Sequence, residues 1–195
     1  MPTQLTLVCH GATAATRHGR FPLDEPLEER AVKHAASLTN VLRRADLVLT
    51  SPALRARQTA AGLSPEPVVD PEIRDCDYGA WCGRSIAEVQ AGDPEGMAAW
   101  LADPSAAPHG GESLSGLCRR VGAWMDGRMR QNGRVIAVTH LAVIRAAILG
   151  VVDAPLSSFW RIDVEPFGVV DLRSDGVRWT MRAAALRSGQ NSSST

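Results

Sequence analysis

Histidine and arginine side chains follow three short apolar segments of the chain, close to the point where each segment ends. His10 comes directly after the first segment, Arg55 and Arg57 follow the second by a few residues, and His140 closely follows the third. An imidazole can attack phosphorus, while a guanidinium and a second imidazole stabilise the oxygens of the transferred group. If the fold brings these side chains together, phosphoryl transfer is the chemistry that they suit best.

The segments that must position these side chains are typical of strands in a layered α/β protein. Strand-like runs alternate with segments that have helical periodicity, which predicts a largely parallel sheet. Ligands bind beyond the carboxyl ends of parallel strands, so we expect His10, Arg55 and His140 to converge there. The predicted strands are 4–9, 46–50, 134–138, 159–164, 168–172 and 177–182, and the predicted helices are 27–44, 53–62, 85–90, 94–101, 113–131 and 141–150.

The composition indicates one folded domain without a strong overall charge. The 195 residues include 21 basic and 21 acidic side chains, and the formal net charge is zero. A surface that binds nucleic acid needs an excess of basic residues, so we expect no nucleic-acid partner. We predict a single domain at residues 1–187 and a disordered tail at residues 188–195, which are mostly serine and other small or polar residues.

The chain shows no pattern of a metal-binding, disulfide-rich or membrane protein. Its four cysteines have neither CxxC spacing nor a matched histidine pattern, so we predict neither a zinc site nor a disulfide framework. No apolar run approaches the ~20 residues that a membrane span requires. Residues 1–6 lack the basic start and long apolar stretch of a signal peptide. We therefore expect a cytoplasmic protein without a metal or a membrane partner.

Five sequence blocks stand in order along the chain: LVCHGAT at 7–13, LTSPALRARQTA at 49–60, IRDCDYGAWCG at 73–83, GGES at 110–113 and VTH at 138–140. Together they resemble the histidine phosphatase superfamily, the phosphoglycerate-mutase-like proteins. The usual forms of the first three blocks in that family are LxRHGxT, TSPLxRAxQTA and LRExDFGxWEG, and the last two are GGES and VxH.

This resemblance implies a three-layer α/β fold, in which helices flank a mostly parallel central sheet, and it implies roles for four residues. His10 matches the nucleophile that carries the phosphoryl group as a phosphohistidine. Arg55 and His140 match the arginine and the second histidine that hold the phosphoryl oxygens. Asp75 stands at the position of the general acid and base, with Asp77 and Glu72 as flanking alternatives. No cofactor is implied.

The resemblance also places substrate-binding candidates around these four residues. Gly11 follows the nucleophile, and Thr16 falls where many members have an asparagine that touches phosphate. Glu112 belongs to the GGES block, where it shapes the pocket rim or, with Ser113, caps the following helix. Arg57 has a weaker claim, because its position varies in the family; its alternative is a solvated helix face.

Two departures from the family pattern bear on activity. Cys9 replaces the arginine that normally precedes the nucleophile, and removal of one charged donor from such a site can cost about 3–4 kcal/mol of transition-state stabilisation. Asp75 replaces a glutamate, which shortens the acid by one methylene and favours an acidic optimum, because an unperturbed aspartate has the lower pKa. We expect Arg17 or Arg20 to swing in and replace part of the lost charge.

The segment that contains Arg17 also repeats the triplet that normally surrounds the nucleophile in this family. Residues 17–19 spell the family triplet RHG, but no strand precedes them, so we expect a substrate loop there and not a second nucleophile. Loops 17–26 and 81–110 are the expected determinants of specificity, with Tyr78, Trp81 and Trp100 as lid or core residues.

The leading hypothesis is a metal-independent phosphatase that hydrolyses small phosphomonoesters and has an acidic optimum. The alternatives are a catalytically weakened phosphate-binding or sensing protein on the same fold, a ribazole-phosphate phosphatase and, less favoured because the chain is short, a phosphoglycerate mutase. The expected partner is a small phosphorylated substrate, and analogy with the family suggests a homodimer.

Overall fold

The structure is a computed structural model in which residues 3–183 are described. The predicted tail at 188–195 and the last residues of the predicted domain lie outside this part of the chain. Within residues 3–183, six strands form one sheet. The strands are β1 Thr3–Cys9, β2 Leu47–Thr50, β3 Val68–Val69, β4 Gly133–Thr139, β5 Val169–Ser174 and β6 Trp179–Arg182.

The strand order is β3-β2-β4-β1-β5-β6. The pairs β1–β4, β2–β4 and β2–β3 are parallel, whereas β1–β5 and β5–β6 are antiparallel. The sheet is therefore mostly parallel, and the antiparallel strands lie at one edge. The parallel part contains the three strands whose carboxyl ends carry the candidate residues.

Helices cover both faces of the sheet, as the sequence predicts. The α-helices of the described residues are α1 Ala14–Arg17, α2 Glu29–Ala35, α3 Leu54–Ala61, α4 Ile86–Gly92, α5 Pro94–Ala102, α6 Leu114–Arg128 and α7 Leu141–Val152. Short 3₁₀ helices span Leu38–Asn40, Pro71–Ile73, Gly79–Trp81 and Leu156–Arg161. Within residues 3–183, no helix is long and apolar enough to cross a membrane.

Alternation along the central strands divides the core into two layers. Leu5 and Leu7 of β1 pack into one buried cluster with α6 and α7, where Leu117 and Val143 are fully or almost fully buried. Val8 points to the opposite face. There it packs in a separate cluster with Ala56, Ala60, Ile136 and Val138, the first two of which belong to α3. The sheet between two helical layers confirms the predicted three-layer α/β fold.

Two predicted elements are wrong. The helix predicted at 27–44 ends as α2 at Ala35, because the Ser37 hydroxyl donates to the carbonyl of His34 (2.7 Å) in a turn that leads into a separate 3₁₀ helix. The strand predicted at 159–164 is instead the end of a 3₁₀ helix, Leu156–Arg161, that buries Phe159 in the core. Its apolar residues are therefore buried without any strand pairing.

Candidate active site

The register of the parallel strands explains why the two histidines meet. Cys9 at the end of β1 lies opposite Thr139 at the end of β4. His10 and His140 are the next residues on each strand, and their ring centroids are 5.1 Å apart. Both side chains are buried, with exposed fractions of 6% and 1%, so the convergence expected from the sequence is present in the structure.

His10 is held in one orientation by hydrogen bonds at both ring nitrogens. Nδ1 lies 2.8 Å from the carbonyl oxygen of Gly11, which can only accept, so Nδ1 carries the proton. Nε2 accepts from Nε of Arg55 at 3.2 Å. Burial, His140 and Arg55 lower the pKa of His10 to about 3. The ring is therefore neutral near pH 7, with the lone pair of Nε2 directed at the arginine.

Arg55 is the centre of the site and reaches it from the first turn of α3. Its side chain is 3% exposed. Besides the bond to His10, Nη1 donates to the carbonyl of Leu23 (2.7 Å) and Nη2 donates to Oδ2 of Asp75 (2.8 Å). The carboxylate of Glu25 lies 3.9 Å from Nη1. This network fixes the planar guanidinium beside the nucleophile.

His140 lies against Ser51, Arg55 and Asp75 at the same centre. Its Nε2 lies 2.6 Å from the hydroxyl of Ser51. Its Nδ1 lies 3.3 Å from Nη2 of Arg55 and 3.2 Å from Oδ2 of Asp75. Burial, Arg55 and Arg120 keep the pKa of His140 well below its usual value. His140 is thus a neutral imidazole.

Asp75 occupies the space between Arg55 and His140. Its Oδ2 accepts from Nη2 of Arg55 at 2.8 Å and lies 3.2 Å from Nδ1 of His140, while its Oδ1 accepts from the backbone N–H of Cys76 at 2.9 Å. The loop before it is held by Thr139, whose hydroxyl donates to the carbonyl of Ile73 (2.7 Å). One carboxylate oxygen of Asp75 therefore lies against both residues that the family resemblance assigns to phosphoryl oxygens.

The turn after His10 requires glycine at position 11. A Cβ atom there would lie 2.5 Å from the ring of Phe167. Phe167 itself has a positive φ of 63°, and its N–H bonds to the carbonyls of Cys9 and His10. The N–H of Gly11 donates to the hydroxyl of Thr59 at 3.0 Å. Gly11 thus holds the nucleophile loop, and its N–H is already used within the protein.

The remaining substrate-binding candidates lie at different distances from this centre. Thr16 lines the cavity, but its hydroxyl is bonded to the N–H and the carbonyl of Thr13 in a capping box of α1. Arg17 is exposed and pairs with Glu28. Arg20 lines the cavity and donates to the carbonyl of Gly83 (2.9 Å) and to a carboxylate. Neither arginine contacts Cys9 in this conformation.

Glu112 and Ser113 hold the fold next to the site. Glu112 binds Arg120 through both carboxylate oxygens, at 2.9 and 2.6 Å. Ser113 caps α6 by accepting from the N–H of Gly116 (3.1 Å). Arg57 is exposed on α3. Glu112 does not line the cavity. Its contacts are the two hydrogen bonds to Arg120, beside the helix cap that Ser113 provides.

The two departures noted in the sequence have clear structural settings. Cys9 is 4% exposed, and burial together with Asp75 raises the pKa of its thiol to about 12, so it is an uncharged wall of the cavity. Asp77 and Glu72, the flanking alternatives to Asp75, are exposed. Asp77 accepts from the N–H of Gly79 at 2.9 Å. Of the three acids, Asp75 is the one that reaches the histidines and Arg55.

A cavity of about 670 Å³ opens in front of His10, Arg55 and Asp75. Its wall is largely apolar away from these residues and includes aromatic rings, of which Trp100 packs against Trp160 with ring centroids 4.6 Å apart. Trp81, by contrast, does not line the cavity and is buried in an apolar cluster with Val89 and Met97. Residues of this wall are Phe21, Tyr78, Met97, Trp100, Leu114, Leu117, Phe159 and Trp160. The expectation that residues 81–110 contribute to the pocket fits this lining.

Ser51, a polar residue directly after the second predicted strand, lies 2.6 Å from Nε2 of His140. Two other side chains of the site were not singled out by the sequence analysis. Glu25 approaches Arg55 from a loop without a motif. Arg145 lines the cavity from the interior of α7, an apolar helix in which a single arginine is the only signal.

Within residues 3–183, no cluster of three or more histidine, cysteine or acidic side chains could hold a metal ion. The chemistry available at the centre is that of a neutral imidazole with an unprotonated nitrogen, a guanidinium, a second neutral imidazole and a carboxylic acid. A family model for the histidine phosphatase superfamily (branch 1) matches residues 5–186. The chain belongs to the histidine phosphatase superfamily.

Curated relatives and solved structures agree with this membership. A bifunctional protein of Mycobacterium tuberculosis is 30% identical over 191 residues, which cover 90% of this chain and 52% of that protein. The chain thus spans about half the length of that relative. Phosphoserine phosphatase 1 of Hydrogenobacter thermophilus is 30% identical, with 80% of each chain covered.

A solved structure provides the matching fold. The mycobacterial glucosyl-3-phosphoglycerate phosphatase in complex with VO3 superposes with a TM-score of 0.82 at 25% identity, covering 92% of this chain and 96% of that one. The superfamily members to which this chain is similar thus include phosphatases with different named substrates.

Proposed function

We propose that this protein is a phosphomonoester hydrolase that works through a phosphohistidine intermediate without a metal ion. The observation that carries the proposal is the state of His10: a neutral ring whose unprotonated Nε2 faces the guanidinium of Arg55 at 3.2 Å. A nucleophile needs an unprotonated nitrogen, and a phosphoryl group needs a fixed cation and hydrogen-bond donors. Arg55 and His140 supply both on the same side of the ring.

In the first step, Nε2 of His10 attacks phosphorus and the bond from phosphorus to the leaving oxygen breaks. The phosphoryl oxygens take the donor of Arg55 that Asp75 holds in the free protein and bind beside His140. Asp75 must therefore shift toward the leaving group, where in its protonated form it donates a proton to the departing alcohol. The products are the free alcohol, phosphohistidine and an Asp75 carboxylate.

In the second step, water attacks the phosphohistidine. The Asp75 carboxylate takes a proton from the water, the bond between phosphorus and Nε2 breaks, and inorganic phosphate leaves. His10 recovers its lone pair and Asp75 recovers its proton. Arg55 and His140 hold the phosphoryl oxygens in both steps, so the charge that develops in each transition state meets donors that are already in position.

An acidic optimum follows from the same proposal. The first step needs a protonated Asp75, and an acid becomes protonated as the pH falls. His10 does not lose its nucleophilic form over the same range, because its pKa is lowered to about 3. We therefore expect an acidic optimum of activity.

The experiment is hydrolysis of a generic aryl phosphate by wild type and by His10→Ala. The matched control is His18→Ala, which alters the exposed histidine of the second RHG triplet. We expect His10→Ala to lose activity by at least a thousandfold and to form no acid-labile phosphoprotein, while His18→Ala retains both. Full activity in His10→Ala would overturn the proposal.

A phosphate-binding protein without turnover is the second candidate, and the environment of Arg55 favours it. Cys9 offers no charge, and Arg55 is neutralised in the free protein by Asp75 at 2.8 Å and faces Glu25 at 3.9 Å. Calorimetric titration with inorganic phosphate, alongside the turnover assay, separates the two candidates. Binding without hydrolysis of any phosphomonoester, with no gain in Cys9→Arg, would support the binding protein.

A further inference from the structure

Arg145 is a cation in the cavity wall that the mechanism does not use. It lies in the second turn of α7 and its side chain is 16% exposed. Its Nε donates to the carbonyl of Ile162 at 2.6 Å, and its guanidinium lies over the rings of Phe159 and Trp160, 5.3 and 5.9 Å from their centroids. These contacts fix its plane and leave the terminal nitrogens facing the cavity.

The terminal nitrogens of Arg145 are poorly neutralised. Among residues 3–183, the one acidic side chain that pairs with them is Asp163, and at 3.9 Å this pair is longer than a hydrogen bond. Asp163 is 87% exposed, so water screens its charge. Burial lowers the pKa of Arg145. A largely buried guanidinium without a hydrogen-bonded anion is costly, and a ligand that brings an anion would offset this cost.

Arg145 lies outside the hydrogen-bonded network of the phosphoryl-binding centre. Among residues 3–183, no hydrogen bond or ion pair joins it to His10, Arg55, His140 or Asp75. Its own contacts are with Ile162, Asp163 and the rings of Phe159 and Trp160, so it enters the cavity from that part of the wall. The leaving group of a phosphomonoester attacked by His10 would extend into this same cavity.

We propose that the physiological substrate carries a second anionic group, such as a carboxylate, on its leaving group, and that Arg145 binds it. The inference rests on the proposed phosphatase function and adds a substrate class to it. The planar guanidinium can hold a carboxylate through two parallel N–H···O bonds, and the neighbouring rings pack against the rest of the leaving group. Binding energy from this group compensates in part for the charge that Cys9 does not provide.

The test compares two matched pairs of aryl phosphates with the wild-type protein. One member of each pair is 3- or 4-carboxyphenyl phosphate, and the other is the neutral carboxamide of the same shape. A charged hydrogen-bonded contact supports at least a tenfold preference in kcat/KM for the carboxylate member of one pair. Equal rates for both members of both pairs would overturn the inference while leaving the phosphatase function intact.

Three variants assign the preference to Arg145. Arg145→Gln is expected to reduce the ratio of kcat/KM values at least tenfold, mostly through KM of the carboxylate, and Arg145→Lys is expected to restore part of it. The matched control is Arg161→Gln, which removes an exposed charge from the same loop region and should keep the wild-type ratio. A uniform loss on all four substrates in Arg145→Gln would show a structural role and overturn the inference. Absence of hydrolysis of every substrate by wild type would instead refute the phosphatase function itself.

Discussion

Asp75 occupies a donor of Arg55 that a phosphoryl group needs, so its carboxylate should weaken phosphate binding while it supports turnover. In the free protein, Oδ2 of Asp75 accepts from Nη2 of Arg55 at 2.8 Å and lies 3.2 Å from Nδ1 of His140. A bound phosphate must displace this oxygen and then remain close to the carboxylate. We therefore predict that Asp75→Asn binds inorganic phosphate more tightly than wild type and hydrolyses phosphoesters more slowly.

The expected size follows from the geometry. A displaced carboxylate and a phosphate oxygen would lie about 5 Å apart, and at an effective dielectric constant near 20 the repulsion is about 3 kcal/mol per pair of unit charges. Asp75 is 17% exposed, so solvent reduces this value. A net gain of about 1–3 kcal/mol corresponds to about fivefold to over a hundredfold tighter binding. Loss of the general acid should lower kcat by about 10²–10⁴.

Calorimetric titration with inorganic phosphate at pH 7 measures the first effect, and aryl phosphate hydrolysis measures the second. Asp77→Asn is the matched control, since Asp77 is an exposed turn carboxylate two residues away and should change neither quantity. Phosphate binding that is unchanged or weaker in a folded Asp75→Asn protein would refute the assignment of Asp75 as a competitor for Arg55. The same changes in Asp77→Asn would refute the choice of Asp75 as the acid.

Three further predictions test the surroundings of the site. Cys9→Arg should raise kcat/KM on an aryl phosphate by up to about 10²–10³, because it adds a charged donor beside His10; steady-state kinetics that show no rise would contradict this. The free energy of unfolding should fall as the pH decreases from about 6.5 toward 4, since the unfolded chain protonates His10 and the folded protein, with its lowered pKa, does not. In urea unfolding experiments, the change of the free energy of unfolding with pH should be smaller in His10→Gln by about 1.4 kcal/mol per pH unit. Gly62→Ala should destabilise the protein by about 1–3 kcal/mol, because its Cβ would meet the backbone of Ala35 in α2. Gly122→Ala in α6, where the space is open, should instead be neutral or stabilising in the same urea experiment.

The centre of the site could be predicted because its residues follow strands. His10 and His140 are adjacent to the ends of β1 and β4, and parallel pairing in register brings such positions together. Arg55 lies one turn into the helix after β2, so its reach toward them follows from the same topology. Residue type and strand order thus contain most of the information about this part of the molecule.

The features that escaped prediction depend on contacts between distant loops. The helix predicted at 27–44 stops at Ala35, and a turn stabilised by Ser37 outweighs the helical spacing of the apolar residues that follow. Glu25 approaches Arg55 because the loop before α2 folds over α3, where Asp24 accepts from the N–H of Leu54 at 2.6 Å. Such contacts have no local periodicity, so only the assembled structure shows them.

The charges at the centre explain why a cysteine in place of an arginine at position 9 matters for phosphate binding. With His10 and His140 neutral, the cation in contact with the nucleophile is Arg55, and two carboxylates, Asp75 and Glu25, lie 2.8 and 3.9 Å from its guanidinium. A phosphate dianion that binds Arg55 would meet both carboxylates. A proton on Asp75 removes one of these two negative charges and supplies the acid that the first step needs. Protonation of Asp75 therefore favours both phosphate binding and general acid catalysis.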